Sequence, residues 1–445
     1  MSTCSNNTVT FNIIGELQVE LTIENNSFEI PLQDLFLMAA RINKKRSFLF
    51  VSKVLGKHIP IKPAKGILVG SLLAARYLDV TKGESTEKLT QLFSAFKQGN
   101  DPLIQGFVPS HHNPIIIGFA ETATALGHAF FEAFSNADFF HTTREFLEGV
   151  HPTITFEEEH SHATSHRAYV NSELLDSDRE VILVDDELTT GKTALNIIRS
   201  IQAEHPRKSY TVVSILDWRS DENVQLFKEL EIELGITIHT VSLVKGTVSV
   251  SGEFDTQSPA NEEGFADSSS MNVSFYPIFI PAPISFGEGT DKTYTRFTGR
   301  FGLSAIENRQ ASEWLEKIGL ELQKLRTGKK SLVLGAGEFM YVPMKIASFM
   351  GDGVFYHSTT RSPIYPLEKE NYGAVNRFLF RSPEDPSIQN YLYNIGVNQY
   401  DEIFLFFERK VEQKNLEELL EQLKRTKTTN IKIIYFSEKE GEKNT

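Results

Sequence analysis

The chain has 445 residues, of which 40% are apolar and 23% charged, and its formal net charge is -13. This length exceeds what one hydrophobic core usually organises, so we expect two domains. The acidic balance excludes a large sequence-independent nucleic-acid surface. No apolar run is long enough to span a bilayer, and the start, MSTCSNNTVT, lacks the features of a secretory signal. We therefore expect a cytoplasmic protein with no nucleic-acid or membrane partner, in which Cys4 is a spectator thiol.

Hydrophobic periodicity predicts an α/β protein. Residues 1–30 alternate apolar and polar positions, which predicts a hairpin or meander that turns at Asn25 and Asn26. The segment PLQDLFLMAARI, residues 31–42, predicts a helix. From Gly66 onward, apolar runs alternate with amphipathic stretches, as in parallel strands joined by crossover helices. The strands predicted in this part are Ile115–Gly118, Asp138–Thr142, Val181–Asp185, Thr211–Asp217 and Thr237–Leu243.

Residues 251–275 are poor in large apolar side chains and rich in Ser, Glu, Asp and Asn, which predicts a linker or long loop. We expect it to separate a first domain, residues 1–250, from a second α/β domain, residues 276–445. Within the first domain, residues 1–45 form the N-terminal strands and helix. The strands predicted in the second domain are Ser331–Leu334, Val354–Ser358, Ile403–Phe407 and Ile431–Tyr435.

The two halves share a spacing. Gly118 precedes Arg144 by 26 residues, Gly335 precedes Arg361 by 26, and Thr-Thr comes directly before each arginine. Two unrelated α/β units would share the order strand, helix, strand by chance. The repeated Thr-Thr-Arg favours an internal duplication.

The segment VILVDDELTTGKT, residues 181–193, carries the clearest chemistry. A strand that ends in two acids and a Thr/Gly loop before a helix offers backbone N–H groups to a phosphate. Carboxylates can accept hydrogen bonds from vicinal hydroxyls, so a ribose 5-phosphate fits. Two alternatives compete: a Walker A loop, which would need glycine where Asp186 stands, and an ordinary strand followed by a helix cap.

These 13 residues resemble, position for position, the phosphoribosyl-diphosphate (PRPP) signature of type I phosphoribosyltransferases, and their surroundings resemble the orotate phosphoribosyltransferase-like branch. The resemblance implies a parallel-sheet transferase domain in which Asp185 and Asp186 bind the ribose hydroxyls. It assigns the 5-phosphate to Thr189, Thr190, Gly191, Lys192 and Thr193.

The same family has a diphosphate-binding loop, for which IIIGFAETATALG stands in the expected place. Thr122 and Ala123 depart from the adjacent glycines that relatives usually have there. Arg144 ends the next strand at the same edge, where it could meet an anion or form a surface salt bridge. The implied diphosphate contacts are Ala120, Glu121, Thr122 and Arg144.

Two further segments are candidates for the lid or acceptor side. Residues 50–63 are similar to the orotate-type segment near the substrate, and FEEEHSHATSHRAY, residues 156–169, concentrates acids and histidines. The second segment is open to three interpretations: a metal-binding cluster, a closing lid, or a solvated loop. The candidates are Lys53, Lys57, His160, His162, His166, Arg167 and Tyr169, and we assign no dedicated protein metal site.

The whole chain resembles the tellurium-resistance-associated phosphoribosyltransferases, whose C-terminal domain is named for the motif found here at residues 360–363, Thr-Arg-Ser-Pro. A degenerate second copy would have Phe407 and Glu408 in place of the acid pair and should not bind PRPP by the same means. A different ligand, a domain interface and a purely structural cap all stay open. The candidate residues are Arg300, Glu338, Arg361 and Ser362.

The resemblance implies a pentosyltransferase that moves ribose 5-phosphate from PRPP, bound with Mg²⁺, to an unidentified base-like small molecule, with release of diphosphate. It implies a specialised nucleoside-like biosynthesis linked to a tellurium-resistance stress system. The alternative is a non-catalytic PRPP sensor or a regulatory subunit of a biosynthetic complex. A homodimer and biosynthetic partner proteins stay open.

Overall fold

The computed structural model describes residues 2–5, 7–42, 47–100, 104–157, 165–254, 271–281, 283–285 and 293–437. In chain order, the strands are β1 (Ser2–Ser5), β2 (Thr8–Ile14), β3 (Leu17–Asn25), β4 (Phe36–Ala40), β5 (Phe48–Ser52), β6 (Ile115–Gly118), β7 (Asp138–His141), β8 (Ile154–Glu157), β9 (Ser165–Ala168), β10 (Val181–Val184), β11 (Glu187–Leu188), β12 (Ser209–Asp217), β13 (Thr237–Ser251), β14 (Asn272–Phe279), β15 (Pro283–Ser285), β16 (Thr293–Thr295), β17 (Leu303–Ser304), β18 (Ser331–Gly335), β19 (Val354–Ser358), β20 (Arg377–Arg381), β21 (Gln389–Tyr393), β22 (Glu402–Phe407) and β23 (Asn430–Ser437). The α-helices are α1 (Leu32–Leu35), α2 (Pro63–Tyr77), α3 (Leu89–Gln98), α4 (Ala123–Phe131), α5 (Lys192–Glu204), α6 (Asp221–Leu234), α7 (Ala305–Lys324), α8 (Tyr341–Ser348) and α9 (Gln413–Lys424). Within these ranges, no helix is both long and apolar enough to cross a membrane.

The first sheet has the strand order β1-β2-β3-β13-β12-β10-β6-β7-β17. Strands β13, β12, β10, β6 and β7 run parallel, and β10 lies between β6 and β12 with Val184 opposite Gly118 and Val213. All four residues of β10 are fully buried, as expected for a strand covered on both faces. The five strands predicted for this half are confirmed, with end shifts of one to a few residues except at β13, which continues to Ser251.

The second sheet has the order β14-β23-β22-β18-β19, and all its neighbouring strands are parallel. Its order matches β13-β12-β10-β6-β7 of the first sheet, although β14 comes first in the chain of its half whereas β13 comes last. The four strands predicted for this half are confirmed. The chain is therefore an α/β protein with two parallel sheets of the same order, which is what an internal duplication would produce.

Two predictions near the N-terminus are wrong. Residues 31–42 contain only the short helix α1, after which β4 pairs with β5 in an antiparallel hairpin. The apolar run of β4 is fixed by tertiary packing, because Phe36 packs edge-on against Phe50, which in turn stacks on Trp218 at 5.3 Å between ring centroids. A short apolar run cannot be assigned to helix or strand by periodicity alone.

The first hairpin turns at Gly15, which has φ +54, and not at Asn25 and Asn26. The Asn26 side chain instead closes the loop before α1. Its Oδ1 accepts from the Ile30 N–H at 3.0 Å, and its Nδ2 donates to the Ile30 carbonyl at 2.8 Å. This local bonding is a common role of asparagine in loops.

The halves are packed into each other more closely than the predicted division at residues 251–275 implies. Strand β17, from the second half, joins the edge of the first sheet beside β7, and Tyr372 and Tyr393 lie in the hydrophobic core of the first half. Strand β14 already begins at Asn272, inside the predicted linker, whereas residues 255–270 lie outside the described residues. The domain boundaries stay a prediction.

Candidate functional site

A cavity of about 260 Å³ lies at the carboxyl edge of the first sheet. Its wall combines residues that follow β6, β7 and β10 with a loop from the second half that follows β19. The carboxyl edge of a parallel sheet is where open α/β folds bind ligands. The lining residues are Arg41, Lys57, Phe119, Ala120, Glu121, Thr122, Arg144, Asp185, Asp186, Arg361, Ser362 and Pro363.

The acid pair stands at the end of β10. The Asp185 N–H donates to the Val213 carbonyl at 2.9 Å, and the Asp186 N–H donates to the Asp185 Oδ1 at 2.9 Å. Burial and the neighbouring Glu187 raise the pKa of Asp186. Several carboxylates therefore lie close together at this edge. Hydroxyl donors or a cation bound there would stabilise their ionised forms.

The loop after β6 is held from behind by a chain of hydrogen bonds. The Ala120 N–H donates to the Thr142 Oγ1 at 2.9 Å, and the same oxygen lies 3.1 Å from the Nδ1 of His166, which is fully buried. A Cβ on Gly118 would lie 2.6 Å from the Ala123 carbonyl oxygen, so only glycine fits at the start of this turn. His166 thus supports the loop and does not line the cavity.

Glu121 and Lys57 form a buried ion pair on the cavity wall, with 2.8 Å between Oε2 and Nζ. Burial would raise the pKa of Glu121, but Lys57, Arg361 and Arg144 together hold it below its usual value. Burial lowers the pKa of Lys57 against the pull of Glu121. The carboxylate therefore stays ionised and holds cationic groups at the cavity.

The predicted phosphate loop, residues 189–193, leaves the acid pair and enters α5. Gly191 has φ +72, and a Cβ there would lie 2.6 Å from the Phe227 ring, so the turn requires glycine. The Lys192 N–H donates to the Thr190 Oγ1 at 3.3 Å. The loop follows the acid pair in the chain by three residues, but none of its residues is among those that line the cavity.

The other predicted residues lie in different places. Lys53 donates to the Gln33 carbonyl at 2.7 Å and does not line the cavity, in contrast to Lys57. Arg167 pairs through its backbone with Thr143, and the Tyr169 hydroxyl accepts from the Leu147 N–H, so both anchor the β8–β9 hairpin behind the site. His160 and His162 lie outside the described residues, as do residues 158–164 of the proposed lid in general.

Arg41 was missed. It reaches the cavity from the segment after β4 and pairs through its backbone with Ile364 of the second half. Its only signal in the sequence is its position beside the basic run at residues 44–46, and those residues lie outside the described ones.

A second, larger cavity of about 670 Å³ lies at the carboxyl edge of the second sheet. Equivalent backbone bonds shape both edges. The Gly337 N–H donates to the Thr359 Oγ1 at 2.9 Å, as the Ala120 N–H does to Thr142, and the Ala336 N–H donates to the Phe406 carbonyl as Phe119 does to Val184. By this register Glu338 corresponds to Glu121, Arg361 to Arg144 and Glu408 to Asp186.

The two edges exchange contacts with each other. Glu338 of the second half accepts from the Thr143 hydroxyl at 2.5 Å and from the Arg144 N–H at 2.8 Å. Arg361 of the second half approaches Glu121 of the first, with 3.7 Å between Nε and Oε1. Arg144 and Arg361 consequently line both cavities. Of the predicted second-domain candidates, Arg361 lines both cavities, Ser362 lines the first, and Arg300 and Glu338 line the second.

In the second cavity, most charges are paired. Arg300 contacts Glu408 at 2.9 Å, and both are nearly inaccessible to solvent. Burial would lower the pKa of Arg300, but Glu408, Glu145 and Glu338 raise it above its usual value. Arg409 contacts Glu145 at 3.1 Å. At the edge of the second sheet, where Glu408 occupies the position of Asp186, these acidic side chains are thus paired with arginines of the protein itself.

One cluster among the described residues has the spacing of metal ligands, and it is not at either cavity. The Nε2 atoms of His111 and His112 lie 3.7 and 3.0 Å from the Glu84 Oε1. The two histidines precede β6, so they stand at the amino edge of the first sheet, opposite the acid pair.

Comparison with known proteins gives the family. Residues 35–247 match the family described as phosphoribosyl transferase, and residues 297–423 match the TRSP domain that lies C-terminal to that transferase. No curated protein matches the chain. Similar solved structures include adenine phosphoribosyltransferases. That from Trypanosoma brucei, in complex with AMP, pyrophosphate and ribose-5-phosphate, is 11% identical, covering 47% of this chain and 77% of that one, at TM-score 0.29. That from Leishmania tarentolae is 15% identical, covering 47% and 84%, at TM-score 0.29.

Proposed function

The chain belongs to the phosphoribosyl transferases that carry a C-terminal TRSP domain, and from this premise we propose that it transfers ribose 5-phosphate from PRPP to a base-like small molecule. The observation that carries the proposal is the convergence of the acid pair, the loop after β6 and several cationic side chains on one cavity. Cationic side chains that could bind a diphosphate therefore lie beside carboxylates that could bind the ribose hydroxyls.

In this proposal, Asp185 and Asp186 accept hydrogen bonds from the two ribose hydroxyls. Residues 189–193 bind the 5-phosphate, because this loop presents backbone N–H groups at the start of α5. The carboxylates also stabilise the positive charge that develops on the ribose ring as the bond to diphosphate lengthens.

The diphosphate would lie against Ala120, Glu121 and Thr122, with Arg144 and Arg361 as its cationic partners. Among the described residues, the Arg361 guanidinium has no closer acidic partner than Glu121 at 3.7 Å. It is therefore available for a bidentate contact with a phosphate. The C-terminal half would in this way complete the donor site of the N-terminal half.

Mg²⁺ would bind with PRPP and neutralise the leaving diphosphate. Burial and Glu187 raise the pKa of Asp186. A bound cation would favour the ionised form of this carboxylate, so the raised pKa is consistent with a cation-binding site. Asp185 and Asp186 would hold the ion together with oxygens of PRPP. His160 and His162 belong to the proposal only as part of a lid that excludes water, whereas the buried His166 supports the loop after β6.

The acceptor is part of the proposal and not of the family assignment. We propose a base-like acceptor in a specialised nucleoside-like biosynthesis linked to tellurium resistance, in the cytoplasm. The test is diphosphate release from PRPP and Mg²⁺ in the presence of adenine, guanine, hypoxanthine, uracil, cytosine or orotate. Release that depends on one of these bases supports transfer, whereas PRPP binding without release under any of them favours the non-catalytic sensor.

A further inference from the structure

The second cavity presents three polar groups that have few protein partners or none, and of these only Asn390 is buried, whereas Arg361 is partly exposed and Glu384 is exposed. The Asn390 side chain is 4% exposed, and its Oδ1 has no hydrogen-bond partner among the described residues. Glu384 has no hydrogen-bond or ion-pair partner there either, and the Arg361 guanidinium has only the 3.7 Å approach to Glu121. All three line the second cavity. A buried acceptor without a partner costs about 1–3 kcal/mol, so its presence needs a reason.

The remaining charged side chains on the wall have partners. Arg300 pairs with Glu408, Arg409 with Glu145, and Glu412 with Lys414. The Asp385 carboxylate accepts from the Ser387 N–H and hydroxyl. What the cavity offers a ligand is therefore one guanidinium, one carboxyl group and one amide oxygen.

Two of these groups are adjacent, and the third lies by the loop after β18 on the same wall. The Thr360 N–H donates to the Tyr391 carbonyl at 3.0 Å in an antiparallel bridge, which brings Arg361 next to Asn390 on the adjacent strand. The Glu384 Oε2 lies 3.4 Å from the position a Cβ would take on Gly337, so the carboxyl group faces the loop after β18. The Glu384 side chain is accessible from the cavity, yet the protein atoms around it raise its pKa to about 7 by desolvation.

We propose that the second cavity binds an α-amino acid, with its carboxylate on Arg361 and its ammonium group on Glu384 and Asn390. An ammonium group carries three N–H donors and no acceptor, which suits a carboxyl group and an amide oxygen. A carboxylate matches the planar guanidinium in a bidentate contact. A zwitterion adds no net charge to a wall whose other charged side chains already have partners. A nucleoside monophosphate would bring a doubly charged phosphate and is less suited.

The position of this cavity makes its ligand distinct from the transferase acceptor, on the proposed function. Arg144 and Arg361 separate the two cavities, and they are the groups proposed to hold the diphosphate. In a single displacement, the acceptor attacks the anomeric carbon of the ribose from the face opposite the leaving diphosphate. That face points away from the second cavity, since the diphosphate lies on the side of Arg144 and Arg361. The amino acid would thus be an effector or a second reactant on the leaving-group side.

Because Arg361 serves both cavities, the two ligands compete for it. Coupling between sites is reciprocal, so the amino acid should lower PRPP affinity by the same factor as PRPP lowers amino-acid affinity, about fivefold or more. This coupling rests on the proposed function, whereas amino-acid binding itself does not.

Calorimetry on the full chain with each of the twenty standard L-amino acids, and with AMP, GMP, CMP and UMP, tests the inference. We expect at least one amino acid to bind, and Glu384→Gln and Asn390→Leu each to weaken it about tenfold or more. Asn390→Leu should leave the melting temperature unchanged or raise it, because it removes an unpaired buried acceptor. Gln389→Leu, on the neighbouring position of β21 and outside the cavity wall, is the matched control.

Binding of no amino acid, binding of nucleotides alone, or wild-type binding by both Glu384→Gln and Asn390→Leu would each overturn the inference. Saturating amino acid that leaves PRPP affinity unchanged would overturn the sharing of Arg361. Failure of PRPP itself to bind counts against the proposed function alone, because the amino-acid titrations are run without PRPP.

Discussion

At the carboxyl edge of the first sheet, Asp185 and Asp186 stand beside Glu187, whereas at the equivalent edge of the second sheet Phe407 and Glu408 are followed by Arg409. The backbones match in strand order, in register and in the hydrogen bond from the loop to the threonine of the next strand. The side chains do not. The first edge keeps its acids accessible, and the second pairs Glu408 with the buried Arg300.

The same arrangement of strands can therefore present two sheet edges with different charge pairing within one chain. An acid pair that lines a cavity can accept hydrogen bonds from a ligand, whereas a buried ion pair stabilises the structure only as long as both partners remain. Substitutions at the two edges should therefore have different effects on stability and on ligand binding.

The largest effect is expected from Glu408→Gln. It leaves the Arg300 charge buried without its closest partner, so we expect unfolding free energy to fall by about 3–5 kcal/mol. The matched change at the first edge, Asp186→Asn, should leave stability unchanged or raise it, since it relieves repulsion with Glu187. Urea unfolding of both variants measures this. Equal losses in the two variants would mean that the edges do not differ as described.

Gly191→Ala should weaken PRPP binding by about 2 kcal/mol or more, because the residue has φ +72 and a Cβ would meet the Phe227 ring. Calorimetry with PRPP and Mg²⁺ gives the affinity. Gly149→Ala is a control, since its φ is +77 with nothing near the added Cβ. If Gly191→Ala bound PRPP as well as Gly149→Ala, the phosphate loop would be wrongly placed.

Lowering the pH should reduce the free energy of unfolding through His128, which lies between the two halves of the chain. Its ring stacks on Tyr341 at 3.6 Å, its Nε2 lies 2.7 Å from the Asn308 Oδ1, and burial lowers its pKa to about 3, with the nearby Lys345 charge acting in the same direction. The unfolded chain binds a proton from about pH 6.5 downward and the folded chain does not, so stability present above that pH is lost as pH falls, at about 1.4 kcal/mol per pH unit.

Urea unfolding from pH 7 to pH 5 measures this slope, and His128→Gln should reduce it. The other buried histidines contribute in the same direction, so the slope in the variant is expected to shrink and not to vanish. An unchanged slope would show that His128 takes up its proton at the same pH in the folded and the unfolded chain.

The smallest effect is expected from Arg361→Ala, which should weaken PRPP binding about tenfold, the usual contribution of one charge-assisted contact. Arg361→Lys should restore only part of it, because an ammonium group cannot make the planar bidentate contact. Arg409→Ala, which changes an arginine that lines only the second cavity, is the control. Normal affinity in Arg361→Ala would remove the C-terminal half from the donor site.

Much of this arrangement could be predicted from local pattern. The apolar runs ending in Gly118 and Gly335, and the equal spacing to Arg144 and Arg361, indicated two similar units and the edge at which their loops meet. The segment from Val181 to Thr193 indicated the acid pair that lines the first cavity, whereas the binding of a 5-phosphate by residues 189–193 stays a prediction.

The contacts between the halves could not be predicted in this way. Nothing in the sequence around Arg361 shows that its side chain reaches Glu121, or that Arg41 joins the same cavity, because both depend on how the two sheets pack. The same holds for β4, where packing on Trp218 decides between helix and strand. Local periodicity carries no information about these long-range contacts.

The central claim is one PRPP site per chain, at the first edge. Calorimetric titration of the full chain with PRPP and Mg²⁺ tests it directly, in the wild type and in Asp185→Asn with Asp186→Asn. We predict one PRPP per chain in the wild type and a loss of affinity of about 100-fold or more in the double variant, since two charge-assisted contacts are removed. Undiminished binding in the double variant, or two PRPP molecules per wild-type chain, would contradict the claim.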